Sequence, residues 1–114
     1  MEKVEGIVQF SEWQKLDLRT AKILKAEEIE GADKLYKLEI NLGFEKRILV
    51  AGLKPYYSIE ELENKNIIVF TNLEPRTIRG VESKGMILAA STKDHDKVRL
   101  LQPDQDIELG SKIS

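Results

Sequence analysis

Tyr36, Leu38, Ile40 and Leu42 alternate with Lys37, Glu39 and Asn41, the cleanest period of two in the chain. Side chains on a strand point alternately to opposite faces, so this stretch reads as a half-buried β-strand. Gly43 to Lys46 supplies a hairpin connection into a following strand, Arg47 to Ala51. Upstream, Leu16 to Ala26 reads as a long strand whose alternation slips near Ala21 to Leu24, because Leu16 and Leu18 share a phase that Ile23 breaks. A bulge in a barrel strand accounts for such a slip. Ile67 to Thr71 and Met86 to Ser91 predict a fourth and a fifth strand, and Val98 to Leu101 adds a sixth. Two short helices punctuate the strands. Ser11 precedes Gln14 at capping-box spacing just after Phe10, and Ser58 precedes Glu61 in the same way, with Ile59 and Leu62 as an apolar i, i+3 pair.

Three strands, a short helix and two strands, with no helical period longer than two turns, predict an all-β architecture. The order is that of the OB-fold, a five-stranded Greek-key barrel with a short helix between strands three and four. Terminal extensions flank it, and residues 1–114 form one domain, since a chain of this length supports one core. In such barrels ligands meet the face of strands two and three and the loops after strands one and four. Here those loops are Glu27 to Lys34, acidic on balance, and Asn72 to Gly85, long enough to draw notice as a functional segment.

Composition sharpens this picture by exclusion. The absence of cysteine removes disulfides, thiolate metal sites and thiol nucleophiles, and predicts a cytoplasmic protein. The longest apolar runs, Ile67 to Phe70 and Met86 to Ala90, are strand-sized, and the N-terminus carries Glu2, Lys3 and Glu5, so neither a membrane span nor a signal peptide is expected. A net charge of −2 argues against a polyanionic partner until its distribution is considered. Lys15, Arg19, Lys22 and Lys25 outnumber Asp17 in one segment, and Arg76, Arg79 and Lys84 outnumber Glu82 in another. A polarised surface with one basic face is therefore permitted.

Catalysis finds little to work with. The single histidine, His95, stands between Asp94 and Asp96 in a charged stretch that reads as an exposed turn. No metal-ligand spacing and no phosphate-cradling glycine loop is present, so neither a catalytic residue, a metal nor a cofactor is assigned. The loop after strand four is richer. Arg76 and Arg79 offer two guanidiniums suited to bidentate phosphate contacts, flanked by donors at Asn72, Ser83 and Lys84, while Gly80 and Gly85 permit close backbone approach. Of the few aromatics, Tyr36 and Phe70 belong to the core by strand phase, leaving Phe44, Tyr56 and Tyr57 as possible exposed rings. So weak a stacking platform favours structured RNA over unstructured single strands.

The run Asn72-Leu73-x-Pro75-Arg76-x-x-Arg79-Gly80-x-x-Ser83-x-Gly85-Met86 resembles the tRNA-binding domain found at the C-terminus of many methionyl-tRNA synthetases and in free-standing relatives. Asp17-Leu18-Arg19, Ala32-Asp33-Lys34-Leu35, and Pro103-Asp104 with Gly110 extend the resemblance over about residues 7 to 113. It implies an OB-fold that grips tRNA by shape and backbone and serves aminoacylation as a synthetase domain or β subunit, in cis or in trans with a catalytic body. Arg19, Lys34, Asn72, Arg76, Arg79, Ser83, Lys84 and Met86 are then the candidate tRNA-binding residues. Glu30-Gly31 replaces a His-Pro pair usual in the family, which makes the loop after strand one more acidic, and Ala51-Gly52 replaces its Ser-Gly after strand three. A secretion chaperone of the same family, binding polypeptide, is the alternative reading. Ile7, Val8, Phe10 and Trp13 before the barrel, and Ile107, Leu109 and Ile113 after it, are more apolar than a small barrel can absorb. A homodimer is expected there, with Phe10, Trp13, Ile107 and Leu109 at its interface.

Overall fold

The computed structural model describes residues 6–114. Its centre is β1 (Leu18–Glu28), a strand long enough to serve two neighbours in turn. Leu18 to Lys22 pair antiparallel with β4 (Asn66–Phe70), and Lys22 to Glu28 pair with β2 (Tyr36–Asn41). Between Ile23 and Lys25 the register shifts, so the expected bulge falls at Leu24. The bulge bends β1 and lets Ala21, Ile23 and Ala26 all face inward, which strict alternation forbids. β3 (Lys46–Ala51) pairs with β2, and β7 (Met86–Ile87) pairs with β4, giving the sheet order β3-β2-β1-β4-β7. Ends of that sheet meet where the Val50 N–H donates to the Ser83 hydroxyl at 3.0 Å and the Lys84 N–H donates to the Ile48 carbonyl at 3.0 Å. A nearly closed five-stranded antiparallel barrel of the OB type results.

Ile23, Leu38, Ile40, Leu42, Leu49, Leu62, Ile67 and Val69 are the large side chains with essentially no exposure. Burying each contributes on the order of 1.5–3 kcal/mol, enough to make the barrel interior the dominant stabilising feature. Leu62 arrives from α2 (Ile59–Leu62), the short helix between β3 and β4. Its capping box is the one expected: Ser58 accepts from the Glu61 N–H, and the Glu61 carboxylate accepts from the Ser58 N–H at 2.8 Å.

Four local expectations are corrected. The first helix, α1 (Phe10–Trp13), is capped at Gln9, whose N–H donates to the Glu12 carboxylate at 3.1 Å, so Ser11 lies inside the turn. β1 starts at Leu18 because Leu16 belongs to the exposed approach to the barrel. The fifth strand breaks at Leu88, after which β8 (Ala89–Ser91) leaves the wall to pair with β9 (Val98–Leu100). Leu88 is the pivot, its N–H bonded to Ile68 and its carbonyl to Leu101. Phe70 is half-buried outside the main core, whereas Tyr36 is buried and donates its hydroxyl proton to the Tyr57 carbonyl.

The C-terminal segment is a strap on β1. Thr20 donates its N–H to Ser111 and accepts from Gly110, and the Ile113 N–H donates to Leu18, all within 2.9 Å. This covers the stretch of β1 that β2 does not reach. Gly43 and Gly110, at φ of +88° and +83°, let the strap lie against the β2–β3 turn, since a Cβ on Gly43 would stand 2.7 Å from the Leu109 carbonyl oxygen.

Asp17 fastens the other side. Its carboxylate accepts from the Thr71 hydroxyl at 2.6 Å and from Arg19 Nε at 2.9 Å, and its carbonyl accepts from the Thr71 N–H. The Thr71 hydroxyl, followed by the Arg19 guanidinium, holds the Asp17 carboxyl below its ordinary value of 3.8. A depressed pKa contributes stability that is complete above the unfolded value and is lost as pH falls through the folded one. Asp17→Asn is therefore expected to cost about 1.5–3 kcal/mol at neutral pH, as for a hydrogen-bonded charged group. In urea titrations from pH 7 downward, the gap between the two proteins should close below pH 4, about the unfolded aspartate value. A gap that persists unchanged at low pH rejects this role.

Candidate nucleic-acid interface

The segment expected as a long loop folds as a hairpin. β5 (Arg76–Ile78) pairs with β6 (Val81–Ser83) in the register Arg76↔Ser83, Thr77↔Glu82, Ile78↔Val81. Arg79 and Gly80 form the two-residue turn, with φ of 53° and 78°. Positive φ at both central positions is the type I′ arrangement that matches strand twist, and it normally takes Asn-Gly or Asp-Gly. Gly80 meets that demand. Arg79 does not, and a non-glycine residue held in this region costs on the order of 1 kcal/mol.

Arg76 and Arg79 are both exposed, and neither forms an ion pair or side-chain hydrogen bond among the described residues. Lys84 stands just beyond β6, its Nζ 3.7 Å from the Glu82 carboxylate. With both of those side chains more than half exposed, the pair is weak and leaves Lys84 available to a stronger anion. The hairpin also approaches the β1–β2 loop, where an Arg79 Nη lies 4.0 Å from the position of a Cβ on Gly31. Lys34, from the same loop, is exposed. Met86 is 45% exposed on β7, opposite Phe70.

The remaining predicted contacts are engaged in the scaffold. Arg19 binds Asp17 and donates from Nη1 to the Gly110 carbonyl at 3.1 Å. Asn72 accepts from the Asp17 N–H at 2.8 Å and donates to the Lys15 carbonyl at 2.6 Å, tying the hairpin's approach to the chain ahead of β1. Ser83 is 6% exposed, and its hydroxyl bridges the Val50 N–H and the Gly85 carbonyl. The first basic segment disperses as well. Arg19 pairs with Asp17, and Lys25 pairs with Glu27 at 3.5 Å while standing opposite Glu39 across the sheet.

Beside the hairpin, the outer face of β2 and β3 opens into a groove of about 540 Å³. Ile48 and Val81 line it with Lys37, Lys46, Arg47 and Lys84, and with Glu39, Glu45 and Glu82, so its charge is mixed. Arg47 is the residue that sequence reasoning missed. It donates to the Thr71 carbonyl at 2.6 Å, to the Lys84 carbonyl at 3.2 Å and to the Glu45 carboxylate at 3.0 Å. Its guanidinium holds the Glu45 carboxyl below its usual range.

The aromatic rings lie away from this surface or serve packing. Tyr56 donates to the His95 carbonyl at 2.8 Å, and the Tyr57 hydroxyl accepts from the Leu100 N–H at 3.1 Å. Phe44 is 60% exposed and leans on Gly110. His95 occupies a turn at φ 60°, where the Asp94 carboxylate accepts from the Asp96 N–H and the Thr92 hydroxyl. Of the expected interface residues, Phe10 and Ile107 are exposed, at 69% and 57%, whereas Trp13 is half-buried and Leu109 is half-buried against Gly43. Among the described residues no helix is long and apolar enough to cross a membrane.

These residues make a five-stranded OB-type barrel with a short hairpin on which Arg76 and Arg79 are exposed and, among the described residues, without an ion-pair partner. The chain belongs to the tRNA binding domain family, whose profile matches residues 18–112. It is 51% identical over 112 residues to a methionine–tRNA ligase of Pyrococcus horikoshii, covering 98% of this chain and 15% of that protein. A methionine–tRNA ligase of Caldanaerobacter subterraneus is 49% identical over 113 residues, 99% of this chain and 17% of the relative. The chain thus spans about a sixth of the curated relatives it matches. Among solved structures, a MetRS-related protein from Pyrococcus horikoshii superposes with a TM-score of 0.89 at 34% identity, covering 95% of this chain and 98% of that one. The chaperone CsaA of Bacillus anthracis superposes at 0.87 with 29% identity, over 96% and 100% of the two chains.

Arg79→Asn tests whether the turn holds its arginine at a cost. Asparagine tolerates positive φ, so the substitution should raise stability by about 0.5–1 kcal/mol, read as a higher urea midpoint at unchanged slope. A lower midpoint would show that the Arg79 side chain stabilises the fold.

Proposed function

We propose that this chain binds structured tRNA, gripping the sugar-phosphate backbone by shape and not by anticodon sequence. The observation that carries this reading is Arg79, held at unfavourable φ on the hairpin tip, with no partner for its guanidinium among the described residues and Arg76 on the same hairpin. Strain of this kind is retained where an exposed group has work to do. Arg76, Arg79 and Lys84 form the primary contact, with Lys34 and Met86 at its margin. Arg19, Asn72 and Ser83 act by holding the scaffold beneath. The sequence likeness to methionine–tRNA ligases supports a role in aminoacylation, in cis or in trans with a methionyl-tRNA synthetase catalytic body, in the cytoplasm.

The likeness to a chaperone supports a second reading, in which the mixed-charge groove over Ile48 and Val81 takes polypeptide. Salt separates the two. With roughly three to five phosphates neutralised, the log-log dependence of tRNA affinity on salt should have a slope of about −2 to −4. Arg76→Ala and Arg79→Ala should each weaken tRNA binding by about 1–2 kcal/mol, with Lys93→Ala as the neutral control. Affinity indifferent to salt, equal effects at Lys93, or preference for unfolded peptide would transfer the assignment to the chaperone reading.

A homodimer built on the terminal segments completes the proposal. Ile7, Val8 and Phe10 are 76%, 65% and 69% exposed and adjoin the half-buried Trp13, an apolar surface that a small monomer rarely leaves open. Ile107, exposed on the strap, contributes with the half-buried Leu109 two residues along. Two copies would present two hairpins to one tRNA. Light scattering at micromolar concentration should give the mass of two chains, and Phe10→Asp should halve it. A single-chain mass at every concentration rejects the dimer.

A further inference from the structure

We propose that Arg47 is the positioning residue of the hairpin, one guanidinium holding both of its feet. The inference rests on the assignment of Arg76 and Arg79 to tRNA contact. β4 ends at Phe70 and β6 at Ser83, so Thr71 and Lys84 are the residues at which the chain departs from the barrel wall and returns to it. Arg47 Nη1 donates to the carbonyls of both, at 2.6 and 3.2 Å. Its Nη2 donates to the Glu45 carboxylate at 3.0 Å, and its side chain is only 20% exposed.

A positioning role follows from what the hairpin lacks. Its two strands have three residues each and form a ladder only with each other, β6 touching β3 through the Ser83 hydroxyl and the Lys84 N–H at the base, and a two-stranded ribbon of that size is marginal in water by itself. Its orientation is therefore set at its base. Asn72 anchors the outgoing chain and Ser83 the returning one, but Arg47 touches both. Planar donors spread over three acceptors fix the separation of the feet and hence the direction in which Arg79 is presented. Glu45 keeps the fork turned toward them. If the hairpin points correctly only a tenth of the time once the fork is gone, apparent affinity falls about tenfold.

Arg47 also lines the groove, so direct phosphate contact is the competing role, and Glu45 separates the two by sign. Removing a carboxylate beside a phosphate-binding arginine strengthens RNA binding. Removing the group that orients a clamp weakens it. Glu45→Gln and Arg47→Met are to be measured for tRNA affinity at fixed salt, alone and in an Arg76→Ala/Arg79→Ala background, with amide exchange across residues 76–83 of the free protein. The expected result is weaker binding, about threefold for Glu45→Gln and tenfold for Arg47→Met. Exchange in the hairpin should quicken while the Leu38 and Val69 amides stay protected, and Arg47→Met should change little in the double-alanine background.

Tighter binding by Glu45→Gln, or a full additive loss in that background, places Arg47 on the phosphate and overturns the positioning role. So does a loosened hairpin with unchanged affinity. Should Arg47→Met unfold, the core amides will report it, and Glu45→Gln decides alone. If the double-alanine protein binds tRNA as well as the parent, the tRNA assignment itself fails. In that case hairpin exchange in the single variants still decides whether Arg47 holds the two feet.

Discussion

A five-stranded sheet becomes a barrel only where its edge strands meet, and here that seam is thin. β3 reaches the returning chain through one backbone bond, from Lys84 to Ile48, and two side-chain bonds, from Val50 to the Ser83 hydroxyl and from the Arg47 guanidinium to the Lys84 carbonyl. Each is worth about 1 kcal/mol net, yet opening the seam would expose the interior that supplies most of the stability. The residues that complete the seam also complete the hairpin, so barrel closure and hairpin placement are one structural event. Ser83 shows this directly: a buried hydroxyl in a basic loop, spent on closure.

Much of the barrel was legible because its signals are local. The alternation from Tyr36 to Leu42, the Ser58 and Glu61 cap, and the phase slip that marks the Leu24 bulge each depend on neighbours within a few residues. Where the sequence misled, the cause lay at a distance or in an unfavourable choice. The 72–85 segment hides its turn because arginine stands where asparagine would have announced it. Arg19, Asn72 and Ser83 have the chemistry of phosphate ligands, but besides the nearby Asp17 that pairs with Arg19, their partners at Gly110, Asp17 and Val50 respectively lie far along the chain. Arg47 was overlooked for the converse reason. In sequence it is a charge at the start of a strand, and only the fold brings the two carbonyls to it.

Charge behaves in the same way. Along β1, Arg19 is answered by Asp17 and Lys25 by Glu27 two positions along and Glu39 across the sheet, whereas Arg76 and Arg79 on the hairpin have no ion-pair partner among the described residues. Strand pairing thus removes part of the wall's charge, while Lys22, which faces Asn41 and Asn66, keeps its own. Arg79 goes furthest, at a position where backbone geometry also resists it.

The strap across β1 carries a consequence for the order in which the molecule is made. β1 is made before every other strand of the barrel, but the bonds from Thr20 to Ser111 and from Leu18 to Ile113 join residues at opposite ends of the described chain. Until residues 108–113 emerge, the first turn of the barrel has an open strand edge, the kind of surface on which nascent chains join wrongly. Contacts of such long sequence separation also slow folding, because a large loop closes before they can form. The barrel's first strand is therefore sealed by a segment that is made after every other strand of the barrel.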